Sequence, residues 1–494
     1  MKAYLMFRDK DFDIKEQLPF GKDMLVSDLE LETLLSAMAQ GDEVILEAAG
    51  TALLCGLQSS DEIRYRQSAL SDCIKNPAEV RDLYAITIEA IERVRKGFWW
   101  LSTQYTSSLL SNAVGLLQAL VGMLVKLRKV ADESIDRFES EGFVTLLSIL
   151  QRELDDDYCR LVNEHLNELK FKDGTLISAR LGDYNQGIDY VLRRRQRKHS
   201  WRRWRFAPSY TVAPRDHGGS VDLSKRRERA ITEVANVLAQ SAENVESFFK
   251  MLRSELAFYI GCLNLYEQLQ QIGLPVCFPD PLEPVKRHRC IRGLYDVSLA
   301  LQTRVPVVGN DLLADHQSLF IITGANQGGK TTFLRSIGQA QLMMQCGMFV
   351  PAEAYASHIC KGIYTHFKKE EDTQMKSGRL DEELVRMSGI VDHLSAGALM
   401  LFNESFAATN EREGSEIGRQ IVSALIQYGI EVFSVTHLFE FANRFYEEHL
   451  PDVAFLRAER LEDGKRTFRI IPGEPLKTSF GEDLYQEIFG SEKG

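Results

Sequence analysis

From Leu29 onward, apolar side chains recur every three or four residues, as in Leu29, Leu31, Leu34, Leu35 and Met38. That spacing puts them on one face of a helix. The pattern persists to about residue 165, and Pro19 and Pro77 are the only prolines before Pro208. A long helical module is predicted there. Over 172–220 the pattern shortens. Gly174, Gly182 and Gly187 separate short alternating runs such as Thr175–Ala179, which predicts strands or hairpins. A basic, tryptophan-containing stretch and a Pro/Gly loop at 213–219 follow. Helical periodicity returns from Leu223 to about Gly273, predicting one long helix or two in series. Pro275, Pro279, Pro281 and Pro284 then mark the clearest boundary in the chain. Beyond it, short apolar strands alternate with helices, the pattern of a mainly parallel sheet covered on both faces. The expected fold is therefore α plus α/β. Residues 1–27 form an extension, 28–273 a helical domain with a strand-containing insertion near 172–220, and 274–494 an α/β domain.

Composition narrows the class. The 494 residues are 44% hydrophobic and 26% charged, which fits two or three globular domains rather than a disordered chain. The net charge of −11 excludes whole-surface attraction to nucleic acid, so any such contact needs a local basic patch. The eight cysteines show no C-x-x-C pair, which fits reduced thiols. The N-terminus becomes charged too early for a secretory segment. Gly97–Val125 is uncharged, but Ser102, Gln104, Ser108, Asn112 and Gln118 interrupt it. It reads as a helix buried in the helical domain rather than a membrane span. A cytoplasmic chain with no membrane partner is expected.

Three segments carry chemistry. Gly324-Ala-Asn326-Gln-Gly328-Gly329-Lys330-Thr331 matches G-x-x-x-x-G-K-[ST] in full, with Leu319–Ile322 as a strand before it and Thr332–Ile337 as a helix after it. Its glycines let backbone N–H groups surround phosphate oxygens at a helix N-terminus. Lys330 would neutralise the phosphates of ATP and Thr331 would ligate Mg²⁺. Ala398–Phe402 reads as a buried strand delivering Asn403 and Glu404 to the sheet edge. There Asn403 would help organise Mg²⁺ and Glu404 would orient or activate the attacking water. Val432–Val435 is a further strand, ending in Thr436-His437, and His437 could sense the terminal phosphate.

Together these segments resemble the MutS family of DNA mismatch-repair ATPases. The family loop TG-x-N-x-GGK-[ST]-T stands here as Thr323 to Thr332, with Asn326, Lys330, Thr331 and Thr332 in the matching places. Gly347–Ala352 resembles the family's G-x-[YF]-VPA segment. Asp372 with Ser377-Gly378-Arg379 resembles its acid-then-SGR loop, and Lys477–Gly481 its K-S-[YF]-G segment. Arg64–Gln67 with Asn76-Pro77 resembles the start of its helical core-and-lever domain. The resemblance implies a lever domain followed by a P-loop ATPase domain of the ABC type. It also implies a homodimer with two composite ATP sites and coupling of nucleotide state to a DNA clamp.

Three departures qualify that implication. The strand-end acid pair is Asn403-Glu404 rather than Asp-Glu, which predicts weaker Mg²⁺ affinity and slower turnover. Asp381-Glu382-Glu383 follows the SGR sequence, an unfavourable charge for a loop approaching a triphosphate in trans. No Phe-x-Glu occurs in the first hundred residues, and a helical core starting near residue 28 leaves no room for a mismatch-reading domain. The basic stretch is the candidate nucleic-acid contact. Arg193, Arg194, Arg195, Arg197, Lys198, Arg202, Arg203 and Arg205 put eight cations in thirteen residues, with Trp201 and Trp204 among them. Arginines neutralise phosphates and tryptophans stack on exposed bases. Two functions stand: an ATPase controlling a DNA clamp in mismatch repair or a related repair or recombination role, and a nucleotide-gated scaffold with weak or no hydrolysis.

Overall fold

A computed structural model describes residues 2–98, 106–172, 174–194, 210–284, 287–369, 378–461 and 465–476. The chain opens with four helices, α1 (Lys22–Asp28), α2 (Leu31–Ala39), α3 (Glu43–Cys55) and α4 (Ser60–Lys75). Four more follow: α5 (Pro77–Phe98), α6 (Thr106–Ser134), α7 (Glu141–Glu153) and α8 (Asp156–Glu168). The hairpin β1 (Ile177–Leu181) and β2 (Gly187–Leu192) precedes the long α9 (His217–Ile272). The remainder alternates: β3 (Asp280–Leu282), β4 (His288–Leu294), α10 (Val297–Thr303), β5 (Asn310–Asp315), β6 (Leu319–Thr323), α11 (Lys330–Gln345), β7 (Ala354–His358) and β8 (Ile363–Phe367). It ends with α12 (Arg379–Val391), β9 (Leu399–Asn403), α13 (Glu411–Gln427), β10 (Glu431–Val435), α14 (Phe439–Glu447), β11 (Val453–Arg460) and β12 (Arg466–Pro472).

The chain divides into two compact units. The first is formed chiefly by 78–138 and 143–256, the second by 4–77, 139–142 and 257–494. The sequence boundaries at 28 and 274 do not coincide with these. Residues 28–77, which carry a helical pattern like that of the segment after them, pack into the α/β unit. The cause lies in α11. Gly338 on that helix leaves no space for a methyl group, because an added Cβ would come 2.8 Å from Leu29 and Leu401 side-chain carbons. Gln339 donates to the Leu29 carbonyl at 3.0 Å, and Arg335 pairs with Glu30 and with Asp296. These contacts tie the start of α2 to the helix that follows the glycine loop.

In the first unit, α5, α6, α7 and most of α9 bury apolar faces. Leu83, Ala90, Leu120, Leu127, Leu147, Ile231 and Leu252 are essentially inaccessible. The long periodic run after Leu223 is thus one continuous helix. Among the described residues, α6 is the one helix long and apolar enough to cross a membrane by length and composition. Less than half of that stretch, 44%, is buried inside the protein. A core helix of a helical bundle meets the same test.

In the second unit, a six-stranded sheet has the order β12-β11-β6-β10-β9-β8. All neighbouring pairs are parallel except β11–β12. A four-stranded sheet, β3-β7-β4-β5, lies in the same unit. Central strands of the larger sheet are apolar without alternation because both faces are covered. Leu319, Ile321, Met400, Phe402 and Val432 face a cluster with Val422 of α13 and Phe441 of α14. From adjacent strands, Phe320 and Phe433 stack at 4.1 Å.

The candidate nucleotide site

β6 sits in the middle of the sheet, and its last residue, Thr323, passes directly into the glycine loop. Three loop residues take left-handed backbone angles: Gly324 at φ 109°, Gln327 at 57° and Gly329 at 89°. Gly324 and Gly329 do so without steric cost. Gly328 is required for another reason. A Cβ there would lie 2.7 Å from the Ala458 Cβ and 2.9 Å from the Ala325 carbonyl. The loop therefore curls tightly against β11 and ends at the N-terminus of α11, leaving backbone N–H groups to face an anion.

Lys330 opens α11. Its Nζ donates to the carbonyls of Gly324 and Ala325, both at 2.8 Å, so the ammonium sits inside the curl of the loop. Burial lowers its pKa; Glu404 opposes that shift and Arg466 adds to it. Asn326 is exposed, and Thr332 half-buried, on either side of this turn. Thr331 Oγ1 donates to Asn403 Oδ1 at 3.0 Å, which joins the helix start to the end of β9. Two neutral oxygens of hard-cation type thus stand side by side, and they fit Mg²⁺ with less charge than a carboxylate would supply.

Glu404 follows with a left-handed φ of 52°, its N–H bound to the Val435 carbonyl at 2.9 Å on the neighbouring strand. That kink holds the carboxylate at the sheet edge. His437, just beyond β10, has Nδ1 3.7 Å from Glu404 Oε1, an ion-pairing rather than hydrogen-bonding distance. The imidazole outweighs the opposing effect of burial and holds the Glu404 carboxyl below its usual range, with help from Lys330 and Lys368. A carboxylate kept ionised beside a lysine cradle can accept a proton from water. Gly324, Gly328, Gly329, Lys330, Thr331, Asn403, Glu404 and His437 therefore converge on one edge.

Sequence reasoning passed over two cations here. Lys368 donates its backbone N–H to the Asn403 carbonyl at 2.9 Å. Arg466, at the start of β12, donates from a guanidinium nitrogen to Gln327 Oε1 at 2.9 Å. Neither belongs to a spaced motif, so only the sheet order reveals them.

Gly378 and Arg379 begin α12, and Glu383 accepts the Phe406 N–H at 2.7 Å. That acid is thus spent on the loop after Glu404. Asp372, Ser377 and Lys477–Gly481 lie outside the described residues. So do Arg195, Arg197, Lys198, Trp201, Arg202, Arg203, Trp204 and Arg205 of the basic stretch. Its two described members have partners within their own unit: Arg193 donates to Ser178 Oγ at 2.9 Å, and Arg194 pairs with Glu168 at 2.9 Å.

A glycine loop between a central parallel strand and a helix, with a glutamate just past the end of the next strand but one, is the arrangement of an ATPase-domain fold of the ABC type. The family model for MutS domain V matches residues 320–482, and that for the MutS2 N-terminal domain matches 58–272. The chain belongs to the MutS family. It is 26% identical over 397 residues to the DNA mismatch repair protein MutS of Thermus thermophilus, covering 76% of this chain and 46% of that one. It is 33% identical over 223 residues to the endonuclease MutS2 of Lacticaseibacillus casei, covering 44% and 28%. It is 27% identical over 170 residues to mouse MutS protein homolog 4, covering 34% and 17%. The chain spans less than half the length of these relatives.

Proposed function

We propose that this protein hydrolyses ATP at a dimeric composite site and uses the cycle to control a DNA clamp, in mismatch repair or a related repair or recombination role. The observation that carries the reading is the convergence of Lys330, Thr331, Asn403, Glu404 and His437 on one sheet edge. In this reading the loop N–H groups and Lys330 bind the phosphates. Thr331 and Asn403 hold Mg²⁺, which supplies charge neutralisation when bound. Glu404 takes the proton of the attacking water, and His437 steadies that carboxylate. The relatives' names support the DNA role. Within the chain that role rests on the basic stretch at 195–205, since Arg193 and Arg194 are engaged by Ser178 and Glu168. All eight cysteines are free thiols, which supports a reducing compartment, the cytoplasm. The test is phosphate release with and without duplex, mismatched, branched and single-stranded DNA, with Lys330→Ala as control. A protein that neither turns over ATP nor binds any of these DNAs refutes the reading.

A second reading, a nucleotide-gated scaffold with little hydrolysis, is favoured by the neutral Asn403 bonded to Thr331. On that reading Asn403→Asp raises Mg²⁺-dependent turnover several-fold. Unchanged turnover counts against it.

A further inference from the structure

The charge of the nucleotide site differs from that of a P-loop with an acid pair. Asn403 contributes no charge, Glu404 one negative, and Lys330 one positive. Arg466 adds a second positive charge through β12. Its guanidinium reaches Gln327 Oε1 at 2.9 Å, on the glycine loop itself. Gln327 is exposed and held left-handed, at φ 57°, between Gly324 and Gly329. Phe468 of β12 lies against the same loop, since a Cβ on Gly329 would come 3.2 Å from the Phe468 carbonyl. Arg466 is therefore fixed by its strand beside the phosphate cradle.

Its bonding is incomplete. A guanidinium carries five N–H donors, and no carboxylate among the described residues lies within ion-pairing distance of Arg466. A half-buried arginine whose side-chain partner is a neutral amide on the glycine loop suits an oxyanion.

We propose that Arg466 is a phosphate-binding residue of the nucleotide site, and that Arg466 with the neutral Asn403 makes triphosphate binding less dependent on a divalent cation. The net side-chain charge of Lys330, Arg466, Asn403 and Glu404 is positive. The same edge with an Asp-Glu pair and no arginine would be negative and would need Mg²⁺ to accept a triphosphate. Here protein cations do part of that neutralisation. The inference rests on nucleotide binding at the glycine loop.

The experiment is equilibrium titration of the full chain with a fluorescent N-methylanthraniloyl ATP, in Mg²⁺ and in EDTA. The proteins are wild type, Arg466→Gln, Arg466→Lys and Lys330→Ala, each checked by circular dichroism. Wild type is expected to bind in EDTA within about tenfold of its affinity in Mg²⁺. Loss of a charged hydrogen-bonding partner in Arg466→Gln should weaken binding in EDTA by about tenfold or more, with a smaller loss in Mg²⁺ and partial recovery in Arg466→Lys. If Arg466→Gln binds like wild type in EDTA while Lys330→Ala does not bind, the role of Arg466 is overturned and the nucleotide reading stands. If wild type binds in neither buffer, the nucleotide reading itself falls.

Discussion

Arg289 on β4 is essentially inaccessible, and its guanidinium organises the interior of the α/β unit. Nε and one terminal nitrogen grip both oxygens of Glu431, at 2.9 and 2.7 Å, where β10 begins. The other terminal nitrogen donates to Gln341 of α11 and Ser357 of β7, both at 2.8 Å. One side chain thus joins the two sheets to the helix that follows the glycine loop. Burial pushes the Glu431 carboxyl up, but Arg289 and then His358 overcome it and hold the group well below its usual range. Arg289→Met keeps most of the volume and strips Glu431 of its main counter-charge. Breaking a buried pair from one side costs about 3–5 kcal/mol. His358 Nε2, 3.2 Å from the Glu431 carboxylate, leaves that group one remaining side-chain partner, so the lower end is expected. About 3 kcal/mol corresponds to more than a hundredfold in an opening equilibrium. Hydrogen exchange of peptides from β6 and β10, read by mass spectrometry, should accelerate by that factor. The charge-free pair Arg289→Met with Glu431→Leu should recover most of the protection. If Arg289→Met exchanges like wild type, or the double variant is no better than the single, the network does not carry this unit.

Three further outcomes follow from the site and its surroundings. Gly328→Ala forces the loop away from Ala458 and Ala325, so ATP affinity should drop by about tenfold or more, at an overpacking cost of roughly 1–3 kcal/mol; unchanged binding would show that the loop tolerates the shift. Glu404→Gln should retain ATP but slow phosphate release by about a hundredfold or more, the usual contribution of a positioned base, and full turnover would remove Glu404 from that role. His366, buried beneath α12, is held neutral down to about 4 by burial and then by Arg386. Its unfolded imidazole takes up a proton near 6.5, so its contribution is complete above that pH and lost as pH falls toward 4. Urea midpoints at pH 7.5 and pH 5 should therefore converge in His366→Gln, and an undiminished difference would assign the acid sensitivity elsewhere.

The glycine loop was legible because its chemistry is local. Gly324, Gly329, Lys330 and Thr331 lie within eight residues, and the strand before them and helix after them follow from the apolar pattern. Asn403-Glu404 and Thr436-His437 were legible as strand ends, since each follows a short apolar run. Arg466 and Lys368 were not, because neither lies in a spaced motif and both reach the edge through strand order alone. The single continuous α9 was open in sequence between one helix and two, as periodicity alone does not say where packing ends.

By itself the sequence determined which elements form and which residues can hold a phosphate, because helix period, strand alternation and loop glycines are properties of neighbours along the chain. Only the tertiary structure decided that residues 4–77 join the α/β unit, that Arg289 and Glu431 meet across 142 positions, and that Arg466 lies against the glycine loop. Those outcomes depend on which apolar faces find one another and on strand order. Both are set by competition among long-range contacts that no local pattern records.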